Sequence, residues 1–136
     1  MLDKILRMAI DENFKNRVKY RHLKPSMRPY EWLSSFCSIH IDIGRATGKT
    51  HYILNNYRPY DVILATRTMK EVMDSRGMDT SNVYSSVEAM EKGFLGTTIR
   101  EYPRFVYIDE PELIPDIERV YRLFLNMDTT FIFLGR

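Results

Sequence analysis

The chain has 136 residues, 44% of them hydrophobic, and carries a net charge of +2. That is the length of one domain with a real core, and the charge is too weakly basic by itself to imply nucleic acid. Its single cysteine, Cys37, excludes an internal disulfide and a zinc-binding cysteine set and suits a reducing cytosol, and no apolar run approaches the roughly 20 residues of a membrane span.

Residues 2–20 read as a helix with an apolar stripe of Leu2, Ile5, Leu6, Ala9 and Ile10. Charges within Met1–Ile5 argue against a signal peptide. A basic run follows (Lys15, Arg17, Lys19, Arg21, His22, Lys24, Arg28) and passes into a loop expected to be broken by Pro25 and Pro29. With Tyr20, Tyr30 and Trp32 interleaved, this run has two readings of equal weight. It is a solvated helix face, or a surface for nucleic acid or an adenine ring. Residues 30–36 suit a short helix, and the first core strand is expected over 39–43.

A helix should open near Gly48 and close before Pro59. The next strand is 60–66. Thr68-Met69-Lys70-Glu71 reads as a capping box, so a helix should begin at Met69 and stop near Gly77. Val83-Tyr84 suits a short strand, Ser85–Glu88 a second capping box with Gly93 as its stop, and 97–99 an extended piece. A strand over 104–109 precedes a helix expected to start at Pro115, with Ile117, Val120, Tyr121, Phe124 and Leu125 at helical spacing. The last strand is 129–134. Met69, Met73 and Met90 read as core, and His22, His40 and His51 as structural, since they lack ligand-like spacing. Apolar strands alternating with helices predict an α/β domain with a mainly parallel sheet, whose ligands bind at the carboxyl ends of the strands.

Two stretches at such ends carry chemistry. Gly44-Arg45-Ala46-Thr47-Gly48-Lys49-Thr50 joins a β-branched strand to a helix. Backbone N–H groups of such a loop can face phosphates, Lys49 can reach the β- and γ-phosphates, and the Thr50 hydroxyl can ligate Mg²⁺. Ile43 stands where the usual spacing has its first glycine, so the turn is expected at Gly44. The second stretch, Arg104–Glu110, ends in paired carboxylates. Asp109 can hold Mg²⁺ through a water, and Glu110 can polarise an attacking water. Pro111 is expected to keep Glu110 extended. Arg45 is either a finger on the transferring phosphoryl group or a solvent-facing loop residue, with Arg100, Arg119 and Arg136 as alternative fingers. Thr66-Arg67-Thr68 either contacts a phosphate backbone or, the stronger reading, lets Thr68 cap its helix.

The loop and the Asp109-Glu110 strand together resemble P-loop ATPases of the additional-strand catalytic-glutamate division, above all the ATPase core of phage terminase large subunits, and related helicase cores. The resemblance covers residues 25–136. It implies a three-layer, RecA-like α/β P-loop fold in one domain, with a basic helical extension over 1–37 and a four-to-five-stranded nucleotide-binding core over 38–136. It implies ATP and Mg²⁺ as ligands, Arg45 as cis finger, Asp109 as the metal residue and Glu110 as catalytic base. DNA is the implied partner, in packaging or helicase-like work, and the compartment is the cytoplasm, a host's if the chain is viral. Arg28–Leu33 is similar to the adenine-side motif of that family, with Glu31 where Gln is usual, and Ile63–Thr68 to its segment after the second strand.

The family's nuclease domain and Ser/Thr/Asn-rich coupling motif have no counterpart within these 136 residues. In that fold the last strand lies between the first strand and the carboxylate strand, which leaves 39–43 at the sheet edge. Residues 1–30, a second subunit or another polypeptide is then expected to cover it. Ile108-Asp109-Glu110 with Pro115-Asp116-Ile117 also resembles thymidine-kinase-type enzymes, although one cysteine cannot build their zinc lasso. A non-catalytic nucleotide-binding module that regulates a motor is the third reading.

Overall fold

The computed structural model describes residues 2–42, 48–58, 61–65, 67–78, 83–85, 105–114, 116–124 and 129–135, with backbone alone at Lys49, Thr50, Arg67, Thr68 and Leu113. In chain order its elements are α1 (Leu2–Lys19), α2 (Pro29–Phe36), β1 (Ser38–Ile41), α3 (Lys49–Asn56), β2 (Val62–Ala65), α4 (Arg67–Ser75), β3 (Val83–Ser85), β4 (Phe105–Asp109), α5 (Ile117–Arg122) and β5 (Thr130–Leu134).

The strands form one parallel sheet in the order β1-β5-β4-β2-β3. The last strand therefore lies between the first strand and the carboxylate strand, and β1 is an edge, as the resemblance led us to expect. Their period-2 alternation divides the core into two faces. Val62, Leu64, Val106, Ile108, Phe131 and Phe133 pack with Trp32 and Leu33 of α2 and Val120 and Tyr121 of α5. Ile39, Ile63, Ala65, Tyr107, Ile132 and Leu134 pack with α1, α3 and α4 through Leu2, Leu6, Tyr52, Ile53, Met69 and Met73. Helices on both faces make three layers. Burial on both sides explains why β2 and β5 read as continuous apolar runs rather than alternating ones.

The first face is aromatic. Tyr121, Phe124 and Phe131 meet edge-on at centroid distances of 5.0 and 5.6 Å. Such contacts add about 0.5–1.5 kcal/mol beyond area burial. Ser38 Oγ and Tyr121 Oη hydrogen-bond at 2.8 Å, tying α5 to the start of β1. Burial pushes the Tyr121 hydroxyl pKa above its ordinary value, and the bond to Ser38 partly offsets this.

On the other face α1 lies against β1, where Leu2 and Leu6 join Ile39. Its C-terminal half is tied down twice. Asn13 Nδ2 donates to the Phe36 carbonyl at 2.9 Å, and Arg17 donates to the buried Thr130 hydroxyl at 2.7 Å.

Several local expectations need correction. Residues 21–26 form a 3₁₀ turn containing Pro25 rather than an open loop, and Pro29 opens α2 at its first position rather than breaking structure. α4 begins at Arg67, so Thr68 lies within its first turn and is not the cap. Its far end is as expected. Gly77 (φ +71°) closes it, with Gly77 N–H donating to Asp74 and Met78 N–H to Met73, which satisfies two orphan carbonyls. α5 starts at Ile117 after Asp116, two residues beyond Pro115. The expectations at 86–104 and at Met90 and Leu125 lie outside the described residues.

Candidate functional site

The carboxyl edge of the sheet is built by three strands in register. Ile41, Leu134 and Asp109 stand in one row across β1, β5 and β4. Two further bonds extend it: Gly135 N–H to Ile41 O at 2.9 Å and Glu110 N–H to Leu134 O at 3.1 Å. By strand alternation Asp109 shares its face with Tyr107, and Tyr107 packs on the side of α3. The Asp109 carboxylate is thus buried on the face that α3 occupies.

α3 runs back from this edge. Its last residues, Asn55 and Asn56, lie beside Phe105 at the start of β4, so its first turn lies at the carboxyl end. The helix opens after Gly48, which has φ +86° and ψ +16°. A Cβ at Gly48 would meet nothing within 4 Å. Backbone conformation, not space, therefore requires glycine here. Gly48 O accepts the Tyr52 N–H at 2.8 Å, while the N–H groups of the first turn have no partner within the helix. An anion is favoured at such a terminus.

Glu110 departs from the sequence expectation. It is left-handed (φ 52°, ψ 61°), the one non-glycine residue with positive φ among those described, not extended. Its N–H bond to Leu134 and the 3₁₀ turn Pro111–Leu113, closed by Ile114 N–H to Pro111 O at 3.0 Å, override the bias that Pro111 imposes on its predecessor. Pro111 is itself buried and anchors this turn. A left-handed non-glycine residue costs about 1–3 kcal/mol and collects at functional sites. Glu110 is half-buried at the rim.

Of the sequence-predicted site residues, Asp109, Glu110, Gly48 and the backbone of Lys49 and Thr50 come to one edge. Gly44, Arg45, Ala46 and Thr47 lie outside the described residues, as do Arg100, Arg136 and Thr66. Arg119 is exposed on α5, on the opposite face of the sheet from α3, away from Asp109. The aromatic residues of the basic run are turned inward. Trp32 is buried 4.7 Å from Phe36, and Tyr20 packs against the same Phe36 ring at 5.5 Å in a tilted arrangement, so Trp32 offers no open face for an adenine. Glu31 pairs with Arg28 at the surface, at 3.9 Å.

Two supporting residues escaped sequence reasoning. Gly135 (φ +127°) ties the end of β5 to β1, and a glycine directly after an apolar strand was the available signal. Asp61 is 2% exposed at the amino end, where it accepts the N–H groups of Arg58 (3.1 Å) and Phe105 (3.3 Å) and so fixes where β4 begins. In the sequence it reads as the second residue of the strand expected over 60–66.

Among the described residues no cluster of three or more His, Cys, Asp or Glu is arranged to hold a metal, and no helix is long and apolar enough to cross a membrane. Compared with protein-family models, curated proteins and solved structures, the chain matches none.

Proposed function

We propose that this chain is a P-loop ATPase of RecA-like architecture that binds ATP with Mg²⁺ at the carboxyl edge and hydrolyses it in the handling of DNA. One observation carries the reading. β5 separates β1 from β4, which lie two strand positions apart, and α3, entered from the β1 side, packs against β4, so the helix that follows Gly48 and the Asp109-Glu110 pair share one edge, with Asp109 on the face of α3. Two strand spacings are about 10 Å. A loop-to-phosphate contact, a near-attack approach and a base-to-water hydrogen bond, each about 3 Å, laid end to end span a similar distance.

In this reading the loop Gly44–Thr50 cradles the phosphates and Lys49 neutralises the β- and γ-oxygens. Thr50 and Asp109 would hold Mg²⁺. A hydroxyl and a carboxylate are the hard oxygen donors that ion takes, and Mg²⁺ keeps several waters, so two protein ligands suffice. When bound, it supplies charge neutralisation on the phosphate oxygens. Glu110 accepts a proton from water, whose oxygen bonds to the γ-phosphorus as the bond to the β-phosphate oxygen breaks, giving ADP and phosphate. Arg45 stabilises charge on the transferring group. The left-handed turn at Glu110 supports this role, because it holds a carboxylate at the rim in a conformation that collects at functional sites.

The test is phosphate release from ATP and Mg²⁺, with and without DNA, for the wild type and Glu110→Gln. Glu110-dependent release that DNA stimulates is expected. Nucleoside phosphorylation indifferent to DNA would replace this reading with the kinase, and ATP binding without release would replace it with the regulatory module.

A further inference from the structure

The opposite end of the molecule has its own chemistry. Residues 13–30 hold six of the 20 Lys and Arg residues and none of the 18 carboxylates. Elsewhere 14 cations face 18 carboxylates, so the small net charge conceals a segregated one. Folding gathers part of this segment around a cleft of about 260 Å³ lined by Phe14, Arg17, Val18, Arg21, Lys24 and Trp32.

Positions 14, 17, 18 and 21 recur at helical spacing, which brings them to one face of α1 and its continuation. The 3₁₀ turn then carries Lys24 back over the Trp32 ring, with its ammonium 5.9 Å from the centroid. The Arg17 guanidinium lies 5.4 Å over Phe14 and is pinned by its bond to Thr130. Arg21 and Lys24 are exposed. So is Val18, at 77%, which leaves an apolar wall facing water between cations. Thr130 opens β5, so the cleft lies at the amino edge, at the other end of the strand from Leu134.

We infer that this cleft binds single-stranded nucleic acid, with Arg17, Arg21 and Lys24 on successive phosphates and a base against Phe14 and Val18. A row of cations beside an apolar and aromatic wall suits a strand whose charges repeat and whose bases each present a flat apolar face. An acidic peptide would satisfy the cations and leave the wall unused. A duplex, with its bases stacked inside, cannot place one in a cleft of this size. The inference rests on the nucleic-acid partner named above, but not on the nucleotide chemistry.

Binding of a dye-labelled thymidylate oligomer to the full chain, read by fluorescence anisotropy without nucleotide over a series of salt concentrations, tests it. Arg21→Glu/Lys24→Glu should raise Kd at least about tenfold. It should also lower the slope of log K against log salt by about 1.4, at about 0.7 per lost phosphate contact. Lys4→Glu/Arg76→Glu makes the same charge change at exposed positions elsewhere and should stay within about twofold. Val18→Asn should weaken binding and leave the slope unchanged. Equal loss in the Lys4/Arg76 control, competition by polyglutamate as effective as by unlabelled oligomer, or no binding by the wild type would each overturn the inference. Lys49→Ala should bind the oligomer like the wild type. Absence of ATP turnover by the wild type, with oligomer binding intact, would therefore sink the nucleotide reading alone, and wild-type turnover without oligomer binding the cleft alone.

Discussion

The two ends of the sheet differ in what they leave for ligands. At the carboxyl edge, backbone is prominent: a helix opening at a left-handed glycine, a left-handed Glu110, and Asp109 in a row with Leu134 and Ile41 that main-chain hydrogen bonds extend. At the amino edge, side chains predominate, with cations along α1 and the 3₁₀ turn and a buried Asp61 that serves the fold. Backbone geometry fixes a reacting group within fractions of an ångström, whereas long cationic side chains adapt to a polymer of variable sequence. Under the function proposed, one end would suit chemistry and the other tracking.

Substitutions should separate the two ends. The largest expected effect is Lys49→Ala, which removes charge-assisted contacts worth about 1.5–3 kcal/mol each. Two such contacts make ATP binding weaker by at least about a hundredfold in calorimetry, with the amino-edge cleft untouched. Asp61→Ala strands two backbone N–H groups and should cost about 2–3 kcal/mol in denaturant unfolding. Nucleotide affinity per folded molecule should be unchanged, and an affinity loss beyond the unfolded fraction would end the division between the two ends. Gly48→Ala places a Cβ in open space at φ +86°, so its cost of about 1–2 kcal/mol is conformational. A loss of nucleotide affinity larger than the loss of stability would show that the loop uses this conformation directly.

The smallest effect concerns His40 on the edge strand. Its ring stacks on Phe133 at 4.4 Å, and the partial burial lowers its pKa below the ordinary 6.5. The unfolded chain then takes up the proton first. The His40 contribution is complete above pH 6.5 and is lost as pH falls through the lowered folded-state value. His40→Phe should flatten that part of the stability profile between pH 7 and 5.

Much of this was legible in the sequence because it depends on local pattern. The apolar runs at 62–65, 105–109 and 130–134 and the Gly-Lys-Thr ahead of a helix needed no tertiary information. The strand order did not follow from pattern and was expected only through the family resemblance. Glu110 shows the limit. Pro111 locally favours an extended predecessor, and a hydrogen bond to Leu134, 24 residues away in sequence, reversed it. The cleft was equally hidden. The basic run was visible, but Trp32 looked available for stacking until α2 buried it, and the part that Arg17 plays in tying the helix to Thr130 depends on a contact 113 positions away in sequence.

The strand order also sets a timetable. β5 joins β1 to β4, yet it follows both in the chain, and its pairing of Phe131 with Ser38 spans 93 positions. During synthesis β1, β2, β3 and β4 all emerge before the strand that unites them. Until it arrives, β1 has no partner and the Val106–Ile108 stretch of β4 presents an open apolar edge. Closing so long a loop is slow, and open edges of this kind recruit foreign strands. A nascent chain of this protein is therefore most vulnerable to misassembly in the interval between β4 and β5, and a pause in translation there would lengthen its exposure.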